Sequence, residues 1–419
     1  MEEGARSAVP DTPPVTGPPP RPPSGPGLRV EAVTELGGLE PHAAAWDRMA
    51  MAAPQRLPQL SHAWVASYLE TRRAPGEPFR VLFAYDRDRL VGVLPIVRRR
   101  HPKLGRLAPV LVVPHDDHTR AGDALLELGQ EREVFVALLR AAFRAEPWRF
   151  SLELSGVRKG SPTFLALLPE SPIGTFELLE EEPGSYLPVE GTIDEFRARL
   201  GDNFRRNLRK SGNRLGREPG ASIRFLAGAE ADPALLERFL ALEASGWKGR
   251  EGTSIERDPS LLAFYRALVG RFAASGWLEW HFLEIGGRLA AAHLAVRFGA
   301  ALVLLKIAYD EEFARLGPGS LLFERVVERE LASKASLEIN CLTNMPWHRN
   351  WELPQALFAG LHFFPKRPWP LLAGVAPIRA RRAMKRVPFL RALGRKLLGE
   401  GPDLPPDATP AVPREDATS

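Results

Sequence analysis

The run ALVLLKIAYD (301–310), EEFARLGPGS (311–320), LLFERVVERELA (321–332) decides the fold, because it reads as a strand, a glycine loop and a helix. The strand is predicted from the short, β-rich apolar run formed by Leu302, Val303, Leu304, Leu305 and Ile307, which ends at the polar pair Tyr309-Asp310. The helix is predicted from apolar residues at three-to-four spacing from Leu321 to Leu331, with charged residues on its other side.

The loop of this run has the features of a phosphate-binding turn. Gly317 and Gly319 have no side chain to block a ligand, and the first turn of the next helix has unpaired N–H donors at the positive end of its dipole. Pro318 lacks an N–H, and a strand–loop–helix step also occurs wherever a helix merely crosses back over a sheet. A pyrophosphate site and a plain crossover are therefore both open interpretations.

Length and composition predict two domains. The chain has 419 residues, 44% of them hydrophobic, which is enough for two cores. Residues 1–27 and 399–419 are rich in Pro, Gly, Ser and charge, so we expect both to be disordered. No apolar run is long enough to span a bilayer, and we expect a cytoplasmic protein. The single cysteine, Cys341, excludes an intrachain disulfide and a Cys-based zinc site.

The order of predicted elements is the same in the two halves of the chain. In the first half it is a helix at 60–69 capped by Ser61, a hairpin at 79–97, a strand at 107–113, a helix at 134–145 and a strand at 150–154. In the second half it is helices at 235–243 and 261–274, strands at 277–285 and 289–298, the run quoted above, and a strand at 337–342. We therefore predict an α+β fold of two mixed-sheet units, at 28–183 and 184–365.

Positive charge is concentrated in two places, although the net charge is only +5. A helix predicted from Thr192 to Arg217 carries Arg206, Lys210 and Arg214 on the face opposite its apolar residues. The segment 366–398 is also basic and compatible with an amphipathic helix, with Phe389, Leu390, Leu393 and Leu397 as its apolar residues. Each is either a solvated face or a contact for an anionic membrane surface or RNA.

Three segments together resemble a known family. NFRRNLRKSGNRL (203–215), LEASGWKGREGTSI (242–255) and KIAYDEEFARLGPGSLL (306–322) are similar to the CelD-like branch of the GNAT acyltransferase superfamily. The resemblance covers most of 28–365 and implies two tandem GNAT-like units, as in Fem-type peptidyltransferases, with a degenerate first unit. The usual Gln/Arg-x-x-Gly-x-Gly/Ala loop is altered here, since Ala314 has the first place and Arg315 follows one residue late.

The resemblance implies an N-acyltransferase that moves an acyl group from acyl-CoA to a small or sugar-linked amine, in exopolysaccharide or cell-envelope assembly. By position, Gly317, Gly319 and Ser320 would bind the pyrophosphate with Arg315 nearby, and Lys306 and Tyr309 would border the donor cleft. Glu243 and Asp310 are candidate bases, although pairing of Glu243 with Lys248 and a strand end at Asp310 are the simpler interpretations. We expect acyl-CoA as co-substrate and no metal.

Other functions and residues stay open at this stage. A Fem-type enzyme would take an aminoacyl group from tRNA through the basic segments, and a degenerate GNAT unit would only bind a partner; DNA is not an expected partner. The sequence His115-Asp116-Asp117-His118 contains metal-capable side chains, but adjacent loop residues seldom converge on one ion. His281 and His293 lie in predicted strands and are interpreted as structural sheet residues.

Overall fold

The computed structural model describes residues 27–119, 121–167, 174–246, 250 and 252–386, which form two mixed sheets flanked by helices. The predicted disordered tails therefore lie almost wholly outside the described residues, as do Phe389, Leu390, Leu393 and Leu397. No helix within the described ranges is long and apolar enough to cross a membrane.

The first sheet has the strand order β1-β2-β3-β4-β6-β15-β7, with the short β5 paired to β3. Its strands are β1 (Arg29–Val33), β2 (Phe79–Asp86), β3 (Arg89–His101), β4 (Gly105–Val112), β5 (Leu125–Leu126), β6 (Ser151–Arg158), β7 (Thr175–Glu180) and β15 (Phe358–Phe364). The helices beside it are α1 (Glu40–Ala52), α2 (His62–Thr71), α3 (Glu131–Ala145) and α4 (Pro162–Leu165). As predicted, Ser61 caps α2, because its side chain accepts a hydrogen bond from the Trp64 N–H.

The second sheet has the strand order β14-β8-β13-β12-β11-β10-β9. Its strands are β8 (Gly184–Pro188), β9 (Ser222–Ala227), β10 (Leu278–Ile285), β11 (Arg288–Phe298), β12 (Ala301–Tyr309), β13 (Glu338–Asn340) and β14 (Gln355–Ala356). The helices beside it are α5 (Ile193–Arg199), α6 (Asp202–Leu215), α7 (Leu235–Ser245), α8 (Pro259–Ala274) and α9 (Pro318–Ser333). The strand–loop–helix run 301–332 is thus β12, a 3-10 turn at Glu311–Leu316, and all but the last residue of α9.

The two sheets repeat one topology, as the order of predicted elements indicated. Each sheet contains four neighbouring strands that pair antiparallel, β1-β2-β3-β4 in the first sheet and β9-β10-β11-β12 in the second. The fourth of these strands pairs parallel with a strand that follows a helix in the sequence. The parallel pair is β4 with β6 across α3 in the first unit, and β12 with β13 across α9 in the second. The halves are therefore two copies of the same α/β unit.

The chain crosses from the second unit back to the first at its end. β15 pairs with β6 on one side and with β7 on the other, so it lies inside the first sheet. The predicted second unit, 184–365, therefore includes a strand that belongs to the first sheet. Sequence pattern alone did not reveal this, because an apolar strand such as Phe358–Phe364 fits either sheet.

The predicted continuous helix 192–217 is wrong. Leu200 has extended backbone angles, and Gly201 is the N-cap residue before a second helix that begins at Asp202, so α5 and α6 are separate. Gly212 lies inside α6 and does not interrupt it. Thr192 and Glu195 form a reciprocal capping box at the start of α5, and such a cap allows a helix as short as seven residues.

One hydrophobic core joins the units. The aromatic rings of Trp64 on α2 and Phe264 on α8 lie 5.5 Å apart, and Phe272 packs beside them. The opposite face of the second sheet is covered by α5, α6 and α9, where Phe196 and Phe323 pack on Trp351. Residues after Pro365 continue as helical turns into α10 (Ala376–Arg386), whose Arg379 and Arg382 form ion pairs with Glu177 of β7.

Candidate functional site

The second sheet opens at the end of β12. β13 pairs with β12 only through Ala301–Val303, so no described strand covers that edge of β12 from Leu304 to Tyr309. On the other edge, the register with β11 shifts so that Leu305 is an extra residue, a β-bulge that bends the strand. The open stretch therefore exposes backbone N–H and C=O groups beside two cavities.

The first cavity, which we call the donor cavity, lies between the open strand and the start of α9. It has a volume of about 320 Å³ and is lined by His293, Ile307–Tyr309, Ala314, Gly317–Ser320 and Trp347. Gly317 has a φ of +60°, a left-handed conformation that favours glycine. Gly319 lies against Tyr309, since a Cβ built on it would be 3.7 Å from the tyrosine ring.

Two of the three predicted phosphate donors remain available there. The Gly317 N–H already donates to the Ala314 carbonyl at 3.0 Å, which removes it from the predicted set. The N–H groups of Gly319 and Ser320 have no partner among the described residues, as expected for the first turn of a helix. The donor cavity is thus closed at one end by two free N–H groups and the positive end of the α9 dipole.

The second cavity, the acceptor cavity, lies where the two units meet. It has a volume of about 440 Å³ and is lined by Asp117, His118, Leu242, Glu243, Gly246, Leu304–Tyr309, Cys341–Thr343, Met345, Trp347 and His348. Ile307–Tyr309 and Trp347 line both cavities, so the two are separated only by the end of β12 and one indole. The second unit supplies most of the lining, and Asp117 and His118 of the first unit complete it.

A polar contact between the units forms one wall of the acceptor cavity. Lys306 Nζ lies 3.2 Å from His118 Nδ1 and 5.6 Å from the centre of the Tyr265 ring. Burial and the nearby Lys306 charge lower the pKa of His118, so its ring is neutral at pH 7. Since Nδ1 faces the ammonium group, the proton of the neutral ring is on Nε2.

The loop that carries His118 is fixed by ion pairs. Arg72 Nε donates to Asp116 at 2.9 Å, and Arg72 Nη1 donates to Asp258 of the second unit at 2.8 Å. Asp116 therefore contributes to the interface between the units, and His118 faces Lys306. Within the described ranges, no group of three or more His, Cys, Asp or Glu side chains is placed to hold a metal ion. The loop that the sequence suggested as a weak metal candidate instead positions a cavity wall.

Glu243 and His348 are largely buried in the acceptor cavity wall. Glu243 accepts a hydrogen bond from the Ile255 N–H at 3.0 Å, and Lys248, its suggested partner, lies outside the described residues. His348 Nδ1 accepts from the Met345 N–H, and burial lowers its pKa to about 4. His348 is thus a neutral structural residue.

Two predicted site residues line neither cavity. Asp310 accepts from Arg288 at 2.8 Å and from the Glu312 N–H at 2.9 Å, so it caps the turn after β12. The Arg315 side chain is exposed outside the donor cavity, while its carbonyl accepts from Arg214. Asp310 therefore fits its simpler interpretation as a strand end, and Ala314 rather than Arg315 forms the cavity wall.

The broken basic helix forms a groove next to the donor cavity. Its volume is about 680 Å³, and it is lined by Arg197, Leu200, Asp202, Arg205, Arg206, Leu208, Arg209, Gly212, Asn213, Glu324 and Arg325. Arg197 and Arg205 have carboxylate partners, whereas Arg206 and Arg209 have none among the described residues. α6 also approaches the glycine loop, since Ser211 Oγ lies 3.4 Å from the position of a Cβ on Gly317.

Comparison with known proteins agrees with this architecture. Residues 202–336 match the profile of a family described as an acetyltransferase (GNAT) domain. The crystal structure of FemX superposes with a TM-score of 0.53 at 11% sequence identity, over 76% of this chain and 95% of FemX. A conserved protein of unknown function from Bacteroides thetaiotaomicron superposes with a TM-score of 0.50 at 15% identity, over 81% of this chain and 100% of that protein. Curated protein sequences contain no significant match.

These superpositions show the fold over 76% and 81% of the chain. The second unit contains a GNAT domain, and the chain has an α+β fold of two tandem GNAT-like units, as predicted. At 11% and 15% identity the superpositions show the fold alone.

Proposed function

We propose that this protein is an N-acyltransferase that moves an acyl group from acyl-CoA to an amine. The observation that carries the proposal is the meeting of the donor and acceptor cavities at Ile307–Tyr309. A transferase needs two substrates to meet at one point and to approach it from separate sides. The GNAT domain match to 202–336 supports this reaction class.

Acyl-CoA would enter through the donor cavity. The N–H groups of Gly319 and Ser320 would donate to the pyrophosphate, which the α9 dipole also attracts. The amide groups of the pantetheine arm would pair with the open edge of β12 between Leu304 and Tyr309, in the manner of an added strand. This pairing would bring the thioester to the point where the cavities meet.

The acceptor would lie in the cavity between the units. Glu243 would attract the ammonium group of the amine, and Lys306 would stabilise the negative charge that develops on the thioester oxygen. Tyr309 reaches both cavities and would position the acyl group between them. The size and partly apolar lining of this cavity favour a small or sugar-linked amine rather than a folded protein.

Calorimetric titration of the purified protein with acetyl-CoA and longer acyl-CoAs tests the donor. We expect saturable binding, and then release of free CoA thiol that depends on an added amine. A protein that binds no acyl-CoA of any length would contradict the proposal. A panel of amino sugars and small amines, followed by thiol release, identifies the acceptor.

A second candidate is transfer of an aminoacyl group from tRNA, and the basic groove favours it. Arg206 and Arg209 in this groove lack carboxylate partners among the described residues, and α6, which lines the groove, approaches the glycine loop at Ser211. An RNA 3′ end in the donor cavity would place its backbone near such arginines. Binding of aminoacyl-tRNA that weakens steeply with salt, together with no binding of acyl-CoA, would favour this function over the first.

A further inference from the structure

Two histidines lie side by side in the second sheet, where the sequence predicted only structural residues. His281 on β10 and His293 on β11 are direct partners in the strand register. They are 0% and 3% exposed, yet His293 also lines the donor cavity. A buried polar pair that reaches a ligand cavity needs a reason beyond packing, because two apolar residues would be less costly there.

The pair ends at a buried carboxylate. His281 Nε2 lies 3.2 Å from Glu279 Oε2, and His281 Nδ1 lies 3.4 Å from His293 Nδ1. Two arginines donate hydrogen bonds to the Glu279 carboxylate, Arg297 from Nε at 2.6 Å and Arg329 from Nη2 at 2.7 Å. The three groups therefore form a line of hydrogen bonds from the interior of the protein to the donor cavity.

The carboxylate fixes which nitrogen holds each proton. Burial would raise the pKa of Glu279, but the hydrogen bond from His281 and the charges of Arg329 and Arg297 lower it well below its usual range, so it is ionised. An ionised carboxylate accepts, so His281 has its proton on Nε2 and a lone pair on Nδ1. His293 then donates from Nδ1, which leaves the lone pair of its Nε2 without a partner among the described residues.

We propose that Glu279, His281 and His293 form a proton relay in which His293 Nε2 is the general base of the acyl transfer. The proposal rests on the proposed function, because it assigns the base for an amine that attacks a thioester. His293 would be the catalytic residue, and His281 and Glu279 would be positioning residues that hold its ring in the correct tautomer.

The acceptor ammonium first releases one proton to solvent, and the neutral amine attacks the thioester carbon, forming the C–N bond while the carbonyl electron pair moves to oxygen. His293 Nε2 takes a second proton from the nitrogen, and the oxygen electron pair returns as the C–S bond breaks toward sulfur. The thiolate then takes the proton from His293. Amide, CoA thiol and one released proton result from the ammonium and the thioester.

The surroundings favour a neutral base at physiological pH. Burial lowers the pKa of His293 well below 6.5, and the neighbouring His281 lowers it further. The pKa of His281 is also lowered, because the effect of burial exceeds the opposite effect of the Glu279 carboxylate. Charged groups face the pair from three elements: Glu279 from β10, Arg297 from β11, and Arg329 and Glu330 from α9. From β9 only the ring of Phe225 packs edge-on against His281. The base is therefore unprotonated even below pH 6.5.

Nitrogen-15 NMR of the histidine rings in the wild-type protein tests the relay without any activity. We expect His281 to be protonated on Nε2 and His293 on Nδ1, with His293 Nε2 unprotonated. Protonation of His293 on Nε2 would overturn the proposal, whatever substrate the protein uses. Resonances are assigned with His281→Asn and His293→Gln.

Kinetics of His293→Gln test the catalytic step. We expect kcat to fall by about 10²- to 10⁴-fold while the Kd for acyl-CoA stays at its wild-type value, and the acidic limb of the kcat profile, which lies below pH 6.5 in the wild type, to disappear. His281→Asn should lower kcat by a smaller factor than His293→Gln does, and it should shift the pH of the acidic limb of the kcat profile. His62→Asn changes a buried histidine of α2 that lines neither cavity, and it should leave kcat unchanged.

The outcomes separate the two proposals. Wild-type protein that binds no acyl-CoA contradicts the proposed function, whereas a His293→Gln protein that turns over at the wild-type rate contradicts only the relay. If His293→Gln does not fold, the ring tautomers in the wild type and the pH profile of His281→Asn still decide the question.

Discussion

A valine at position 319 should strongly weaken binding of acyl-CoA without unfolding the protein. Gly319 is the second residue of α9, and its N–H and that of Ser320 are the two free donors at the end of the donor cavity. A Cβ at this position would be 3.7 Å from the Tyr309 ring, an ordinary contact, so the backbone need not move. The two methyl groups of valine would then occupy the space in front of both N–H groups.

The expected loss follows from these two hydrogen bonds. A hydrogen bond to a charged group contributes about 1.5–3 kcal/mol, so losing two costs about 3–6 kcal/mol. Since about 1.4 kcal/mol is a tenfold change, the Kd for acyl-CoA should rise by about 10²- to 10⁴-fold.

Calorimetric titration of Gly319→Val with acetyl-CoA measures this change. Gly270→Val is the matched control, because Gly270 lies inside α8, lines neither cavity and has no atom within 4 Å of an added Cβ. Both variants put valine in place of a helical glycine, so both should melt near the wild-type temperature. A folded Gly319→Val protein with the wild-type Kd would refute the phosphate site at the start of α9.

Three further predictions concern charge and ionisation. Combined replacement of Arg206, Lys210 and Arg214 by Gln should leave the melting temperature nearly unchanged, because exposed charges contribute at most about 1 kcal/mol each to stability. The same replacement should weaken binding of an anionic substrate, and the loss should be largest at low salt. Unfolding of the variant, or unchanged turnover of every acceptor, would contradict this prediction. Burial raises the pKa of Asp123 from 3.8 to about 6. The folded state therefore holds a proton that the unfolded state releases, so this carboxyl should lower stability by about 3 kcal/mol as pH rises from about 4 to about 6. Asp123→Asn should remove this contribution from the pH slope in denaturant titrations. Burial raises the pKa of Cys341 to about 12, so alkylation at pH 8 followed by mass spectrometry should be far slower in native than in unfolded protein, and equal rates would contradict this.

The local sequence pattern was sufficient to predict the two α/β units and the position of one cavity. The apolar run Leu302–Ile307 and the spacing from Leu321 to Leu331 gave β12 and α9, and the glycine loop between them gave the donor cavity. The signal is strong because strand and helix periods differ and because glycine has a specific backbone role. The equal order of elements in both halves gave the duplicated topology.

Contacts between distant residues were not predictable in the same way. His118 and Lys306 are 188 positions apart, and only packing of the two units brings them together. The relay depends on strand register, since a shift of one residue would place His281 and His293 on opposite faces. The break at Gly201 reflects the extended conformation of Leu200, which helical periodicity in this segment did not indicate.

The return of β15 to the first sheet has a consequence for how the chain is made. During synthesis the ribosome releases β6 and β7 long before Phe358–Phe364, and β7 pairs with no described strand other than β15. The first sheet therefore stays incomplete until the entire second unit has emerged, so neither half is an independent module that a gene could gain or lose by simple truncation. Expression of residues 27–183 alone should give an aggregation-prone fragment with an unpaired strand edge, and adding residues 355–386 as a separate peptide should restore its solubility.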